Sequence, residues 1–207
     1  MTILLRRALP ALLLAALLGG CASAPPEHFY TLDTDAPASV QAITSARFSM
    51  TIQRVTVPES VDRPQLVLQA GGNQVRLDEQ HRWAESLRQA IPRVVASDLR
   101  RHFPNASIAV AADSSSEPIP VYFLRMDVLR FESTPGDGIR LEVHWQVRKP
   151  TASTATGSPS TQREGLSEIR EVTGGPGYEA LVAAHRRGLA RLAKDIASAV
   201  TMANSRP

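Results

Sequence analysis

Apolar and polar positions alternate most regularly between residues 121 and 147. In IRLEVHWQV, Ile139, Leu141, Val143, Trp145 and Val147 share one face, the period of two of a half-buried strand. Just before it, VYFLRMDVLRF (Val121–Phe131) also alternates. Tyr122, Leu124, Met126, Val128 and Arg130 fall on one face, and Phe123, Arg125, Asp127, Leu129 and Phe131 on the other. The first set is the more apolar. Gly136-Asp137-Gly138 predicts a tight turn between the two runs, and so a hairpin. FSMTIQRVTV (Phe48–Val57) predicts another strand. Its apolar parity switches between Ile52 and Val55, which places a bulge near Gln53 or Arg54. Shorter strands are expected over His28–Asp33, Ile108–Ala111 and Arg163–Val172. Leu66–Gln69 and Gln74–Leu77 should flank a turn at Gly71-Gly72-Asn73.

Two segments follow the helical period instead. Trp83, Leu87, Ile91, Val94, Val95, Leu99 and Phe103 recur at spacings of three and four, predicting a helix from about Arg82 to His102. Pro92 lies inside it and should kink or break it, because proline removes a backbone hydrogen bond. Pro104 and Asn105 mark the stop. A second helix is expected from about Tyr178 to Met202, with Tyr178, Leu181, Val182, His185, Leu189, Leu192, Ile196 and Val200 as one stripe. Arg186, Arg187, Arg191, Lys194 and Asp195 read as lying off that stripe. The order of strands, helix, strands and helix predicts an α+β fold: a single domain, a mostly antiparallel β-sheet and two amphipathic helices packed on one face.

The leader changes the picture of where the chain resides. Arg6 and Arg7 precede an apolar run, Ala8 to Leu18, which is too short for the ~20 residues that span a bilayer and fits a signal peptide. Leu18-Gly19-Gly20-Cys21 follows and resembles a bacterial lipobox. Small residues admit the backbone to a signal peptidase, and the Cys21 thiol accepts a diacylglyceryl group as a thioether. Each buried methylene adds about 0.8 kcal/mol, so two or three chains make attachment effectively permanent. Ala22, rather than Asp, after the cysteine implies sorting to the outer membrane, facing the periplasm. The expected organisation is a signal peptide over 1–20, a lipidated tether over 21–27 and a single α+β domain over 28–207. Within that domain, 150–161 reads as a flexible Ser/Thr/Pro loop.

Composition narrows the chemistry. Hydrophobic residues at 43% and charged residues at 21% are ordinary for a globular chain, which excludes wholesale disorder. The lone Cys21 excludes an internal disulfide framework and a multi-thiolate zinc site. Removal of Arg6 and Arg7 takes the formal charge from +3 to about +1, which is no footprint for nucleic acid. His28, His81, His102, His144 and His185 form no metal-ligand spacing, and His185 reads as a packed residue. There is no nucleophile elbow, no P-loop and no dinucleotide fingerprint. Ser114-Ser115-Ser116 has no base near it, and an acylated Cys21 offers no thiol. Asp78, Glu79 and Glu85 read as charges at the start of the first helix. No enzyme activity, cofactor or metal is expected.

One surface stretch stands out. Val61-Asp62-Arg63-Pro64-Gln65-Leu66 is followed by Asn73-Gln74-Val75 and then Arg82-Trp83. Proline holds the loop at Arg63, whose fork suits a carboxylate or a carbonyl. Trp83 could anchor the loop over the core. Arg63, Pro64, Gln65, Asn73, Arg82 and Trp83 are therefore either a partner contact or a structural lock of loop on helix.

The lipobox, Phe29-Tyr30-Thr31-Leu32, Val55-x-Val57-Pro58, Val61-Asp62-Arg63-Pro64-Gln65-Leu66-Val67, Asn73-x-Val75 and Arg82-Trp83-Ala84-Glu85-x-Leu87 together resemble the PqiC/YmbA family. These are auxiliary lipoproteins of ABC-type transport systems. The resemblance is strongest over Val55–Leu99 and weak beyond Pro150, and Ser86 stands where relatives often carry proline. It implies a non-catalytic outer-membrane partner of a Mce-domain periplasmic protein and its inner-membrane permease and ATPase. Such systems move lipids between membranes and support envelope integrity. A lipid carrier that itself holds acyl chains, and an assembly or pilot lipoprotein, are the alternatives. A carrier needs an apolar pocket of roughly 300–1,000 Å³ beneath the sheet. Monomer and homo-oligomer read alike in the sequence.

Overall fold

The computed structural model of the protein describes residues 25–33, 42, 47–110, 122–149 and 161–204. Cys21 and the lipobox, Ser114–Ser116 and all but the last residue of the predicted 150–161 loop lie outside them. The strands are β1 (His28–Tyr30), β2 (Ser49–Thr56), β3 (Gln65–Gln69), β4 (Val75–Trp83), β5 (Ser107–Val110), β6 (Tyr122–Thr134), β7 (Gly138–Lys149) and β8 (Thr161–Val172). The helices are α1 (Leu87–His102) and α2 (Tyr178–Asn204).

β6 organises the sheet. Its N-terminal half pairs in parallel with β2, which carries β5 on its other side. Its C-terminal end meets β3 through Leu68 and Ser133, and β3 leads on to β4 and β1. Its opposite edge pairs antiparallel with β7 along its whole length, and β7 pairs with β8. The sheet is mixed. The two antiparallel ladders expected from the hairpins, β3–β4 and β6–β7, are present, β7–β8 adds a third, and four parallel ones join them.

Both helices cover one face. Ile139, Leu141, Val143, Trp145 and Val147 of β7 are all buried under α2, as their alternation predicts, and so is the α2 stripe from Leu181 to Val200. α1 packs beside α2 and over β2 and β5. The predicted β2 bulge falls between Ile52 and Arg54.

The structure corrects four expectations. A second bulge, between Val128 and Arg130, reverses the parity of β6. Leu129 is therefore half exposed, while Phe131, expected on the opposite face, joins the core. α1 begins at Leu87, not Arg82. Arg82 and Trp83 end β4, because pairing with β1 and with Pro64 wins over local helical spacing. α1 runs on through Pro92; the amide missing there leaves only the Arg88 carbonyl without its helical bond. Finally, Arg186 does not lie off the stripe but is buried.

Candidate functional site

Four of the six singled-out residues meet where β3 leaves its loop. The Trp83 N–H donates to the Pro64 carbonyl at 2.7 Å, and Gln65 pairs with Arg82 across the β3–β4 ladder. Gln65 Nε2 donates to Glu79, and Arg82 bonds Glu27 at 3.2 Å, tying the strand to the chain just before β1. The Trp83 ring is buried and meets Phe131 and His185 edge-on. Asn73 is not part of this group. It sits exposed at the far tip of the β3–β4 hairpin, where Gly71 and Gly72 take positive φ.

Arg63 makes no forked pair among the described residues. Its Nε is buried without a hydrogen-bond partner. The loop is tied to α1 by its neighbour instead. Asp62 accepts the Arg88 backbone N–H at 3.3 Å and pairs with the Arg88 guanidinium at 3.1 Å.

The acidic group expected at the start of the first helix is elsewhere. The first turn of α1 holds no acidic residue. Asp78 lies inside β4, buried, and gathers five donors: the backbone N–H groups of Gln80 and His81, His81 Nδ1 at 2.8 Å, the Tyr178 hydroxyl at 2.5 Å and Arg76. Burial pushes the Asp78 carboxyl up, but the bonds from Tyr178 and His81 outweigh it and hold the pKa below the usual carboxylate range. Burial and the same carboxylate raise Tyr178. The His81 ring stacks on Tyr178 at 3.6 Å and on His28 at 5.1 Å. This cluster fastens β1 and the first turn of α2 to β4. Sequence reasoning missed it because Asp78 and His81, three positions apart on β4, meet His28 and Tyr178 only through tertiary packing, about 50 and 100 positions away.

Two further polar groups lie inside the core. Asp98 of α1 and Arg186 of α2 form a forked pair with both N···O distances 2.6 Å, and Arg101 adds a third bond. His185 stacks flat on Phe131 at 3.9 Å, and its Nε2 shares a 2.7 Å hydrogen bond with the Ser133 hydroxyl. Burial lowers the His185 pKa to about 3, so the ring is neutral at physiological pH. No carboxylate orients its other nitrogen, which lacks a hydrogen-bond partner. A serine and a histidine so placed lock β6 to α2; they lack the orienting third group of a nucleophilic triad. Among the described residues no three His, Cys, Asp or Glu side chains gather as a metal site. Two clefts of about 260 and 250 Å³ lie along β7 and β8, bordered by Arg130, Arg140, Glu142, Glu168 and Arg170. They are charged and open to water, unlike an acyl-chain pocket.

Fold and site together define a two-layer sheet-and-helix domain whose buried polar groups hold its elements in place. The model of the family described as "ABC-type transport auxiliary lipoprotein component" matches residues 30–197, and the chain belongs to that family. No curated protein matches the sequence. Solved structures share the fold. A crystal structure of an uncharacterized protein superposes with a TM-score of 0.62 at 17% identity, over 85% of this chain and 99% of that one. Protein XCC0632 from Xanthomonas campestris, of the DUF330 family, gives 0.58 at 11% identity, over 86% and 96%. The family is a transport component and not an enzyme class. No helix among the described residues is long and apolar enough to cross a membrane.

Proposed function

We propose that this protein is the outer-membrane lipoprotein subunit of a Mce/ABC-type lipid transport system. Anchored through acylated Cys21 and facing the periplasm, it docks the periplasm-spanning Mce protein and has no catalytic role. The observation that carries this reading is the family match over 30–197, set behind a lipobox in the same chain. The packing favours docking over carriage of lipid. The space between sheet and helices is filled by Met50, Ile52, Leu124, Met126, Ile91 and Leu99, each at most 1% exposed. A carrier would keep an apolar cavity there.

The test is affinity capture of the lipidated protein from crosslinked envelopes, followed by mass spectrometry. Recovery of a Mce-domain protein with its permease supports the docking role. Recovery of lipid with no protein partner moves the carrier reading to first place.

A further inference from the structure

Many surface arginines of this domain are matched. Arg76, Arg82, Arg88, Arg93, Arg101 and Arg130 each meet a carboxylate. Arg54, Arg125 and Arg148 meet none among the described residues, and they stand together on the face of the sheet that the helices leave open. Arg54 of β2 is the register partner of Arg125 of β6, and both are exposed. Arg148 of β7 is the register partner of Phe123, two residues before Arg125, and its guanidinium lies 5.4 Å from the centre of that ring. Strands lie ~4.8 Å apart and alternate residues ~7 Å apart along one, so the three Cα positions fall within about 12 Å. The β2 bulge makes the cluster. Ile52 is buried opposite Leu124, and a regular strand would turn Arg54 to that same side. Because Gln53 is skipped in the register, Arg54 takes the next rung and faces outward beside Arg125.

Like charges directly opposite one another weaken a ladder. The acid two residues on from Arg125, Asp127, is engaged elsewhere: it accepts the Thr56 hydroxyl at 2.7 Å and lies 4.0 Å from His144. Arg140 and Arg170 are also register partners, but Glu132 closes their row. The rest of the open face indicates the occupant. Glu164 ends the row that holds Arg54, Arg125 and Gln146, and Glu142 and Glu168 share another row. A flat anionic bilayer laid on the sheet would bring its phosphates onto those carboxylates as well as onto the arginines. A protein segment can set its acids over the arginines alone, where guanidinium forks hold carboxylates through paired hydrogen bonds.

We propose that Arg54, Arg125 and Arg148 form the contact for an acidic segment of a protein partner, laid across β2, β6 and β7 on the open face. The inference rests on the docking reading and gives it a surface.

The test places the photoreactive residue p-benzoylphenylalanine at Gln146, beside Arg125 on the same row, in the full-length lipidated chain in cell envelopes. The same residue at Asn73, on the exposed hairpin tip, is the reference. Irradiation is expected to give an adduct at 146 that mass spectrometry maps to a segment of a second protein rich in Asp and Glu. Arg54→Gln/Arg125→Gln should lower that adduct roughly tenfold, and about 0.5 M sodium chloride should lower it several-fold relative to position 73. The double variant should melt no lower than the parent, because it removes a like-charge pair. A lower melting temperature makes the pair structural and overturns the proposal. So does an adduct to phospholipid, to a second copy of this chain, or to a segment without acids. Capture of a Mce-domain protein with no adduct at 146 overturns the surface and leaves the docking role standing. Capture of no transport component, together with no adduct, overturns both.

Discussion

Asp98 and Arg186 face each other between the two helices as a forked ion pair, with side chains 2% and 5% exposed. Removing one partner strands a charge in the core. Arg186→Met is expected to cost roughly 3–5 kcal/mol, because Asp98 keeps only half-exposed Arg101. The double variant Asp98→Leu/Arg186→Met should cost less than either single change. Urea denaturation of all three measures this, and a double variant weaker than both singles would refute it.

His185 gives the domain a pH signature. Its folded pKa of about 3 lies below the ordinary 6.5, so in that interval the unfolded chain binds the proton that the folded chain refuses. Stability therefore rises with pH across the interval. Acidification from 6.5 removes up to about 1.4 kcal/mol per pH unit and levels off near 3. Asp78 adds loss of the same sign, but only once the pH falls toward its own depressed pKa. His185→Gln can keep a bond to Ser133 without titrating, and should flatten the dependence between pH 6.5 and 5. An unchanged slope in thermal melts across that range would count against the assignment.

Gly165 is held small by Trp145. The two are register partners, and a Cβ at 165 would stand 2.4 Å from the indole. Trp145 in turn donates to the Ser167 hydroxyl, which donates to Asp195. Gly165→Ala is expected to displace the indole, cost about 1–3 kcal/mol and break that chain. The readout is a shift in tryptophan emission together with a lower urea midpoint; Trp145→Phe in the same background should abolish the shift.

Cys21→Ala should yield a folded domain that no longer fractionates with membranes. The buried apolar side chains described run from Leu32 to Val200, so its melting transition should match that of the lipidated protein in mild detergent. Membrane fractionation unchanged from the parent would sink the lipobox reading.

Much of this was legible from the residues, and the failures share a cause. The strict alternation in β7 and the stripe in α2 are local patterns, so they survived intact. The parity of Phe131 was not legible, because a bulge is a property of two strands and leaves little trace in one. Trp83 fits helical spacing to Leu87 and also fits a strand end. Only its pairing with Tyr30 decides between them. Arg186 looked solvated because arginine usually is. Yet Asp98 recurs at i+4 from Val94 on a buried face, and a buried acid requires a cation opposite. Of the singled-out loop, Trp83 and Pro64 proved to be bonded to each other, whereas the loop-to-helix bond belongs to Asp62.

The parallel joining of β2 to β6 carries a kinetic consequence. The hydrogen bond from Thr56 to Asp127 spans 71 positions, and the whole β2–β6 ladder closes a loop of similar length before any of its bonds form. Closure entropy must be met first, so this domain should fold slowly for its size, with the β6–β7–β8 meander forming early and waiting for β2. Until β2, β6 and the intervening helix α1 have all arrived on the same side, the N-terminal half of the central strand is paired along one edge only, with β7, and its other edge stays open.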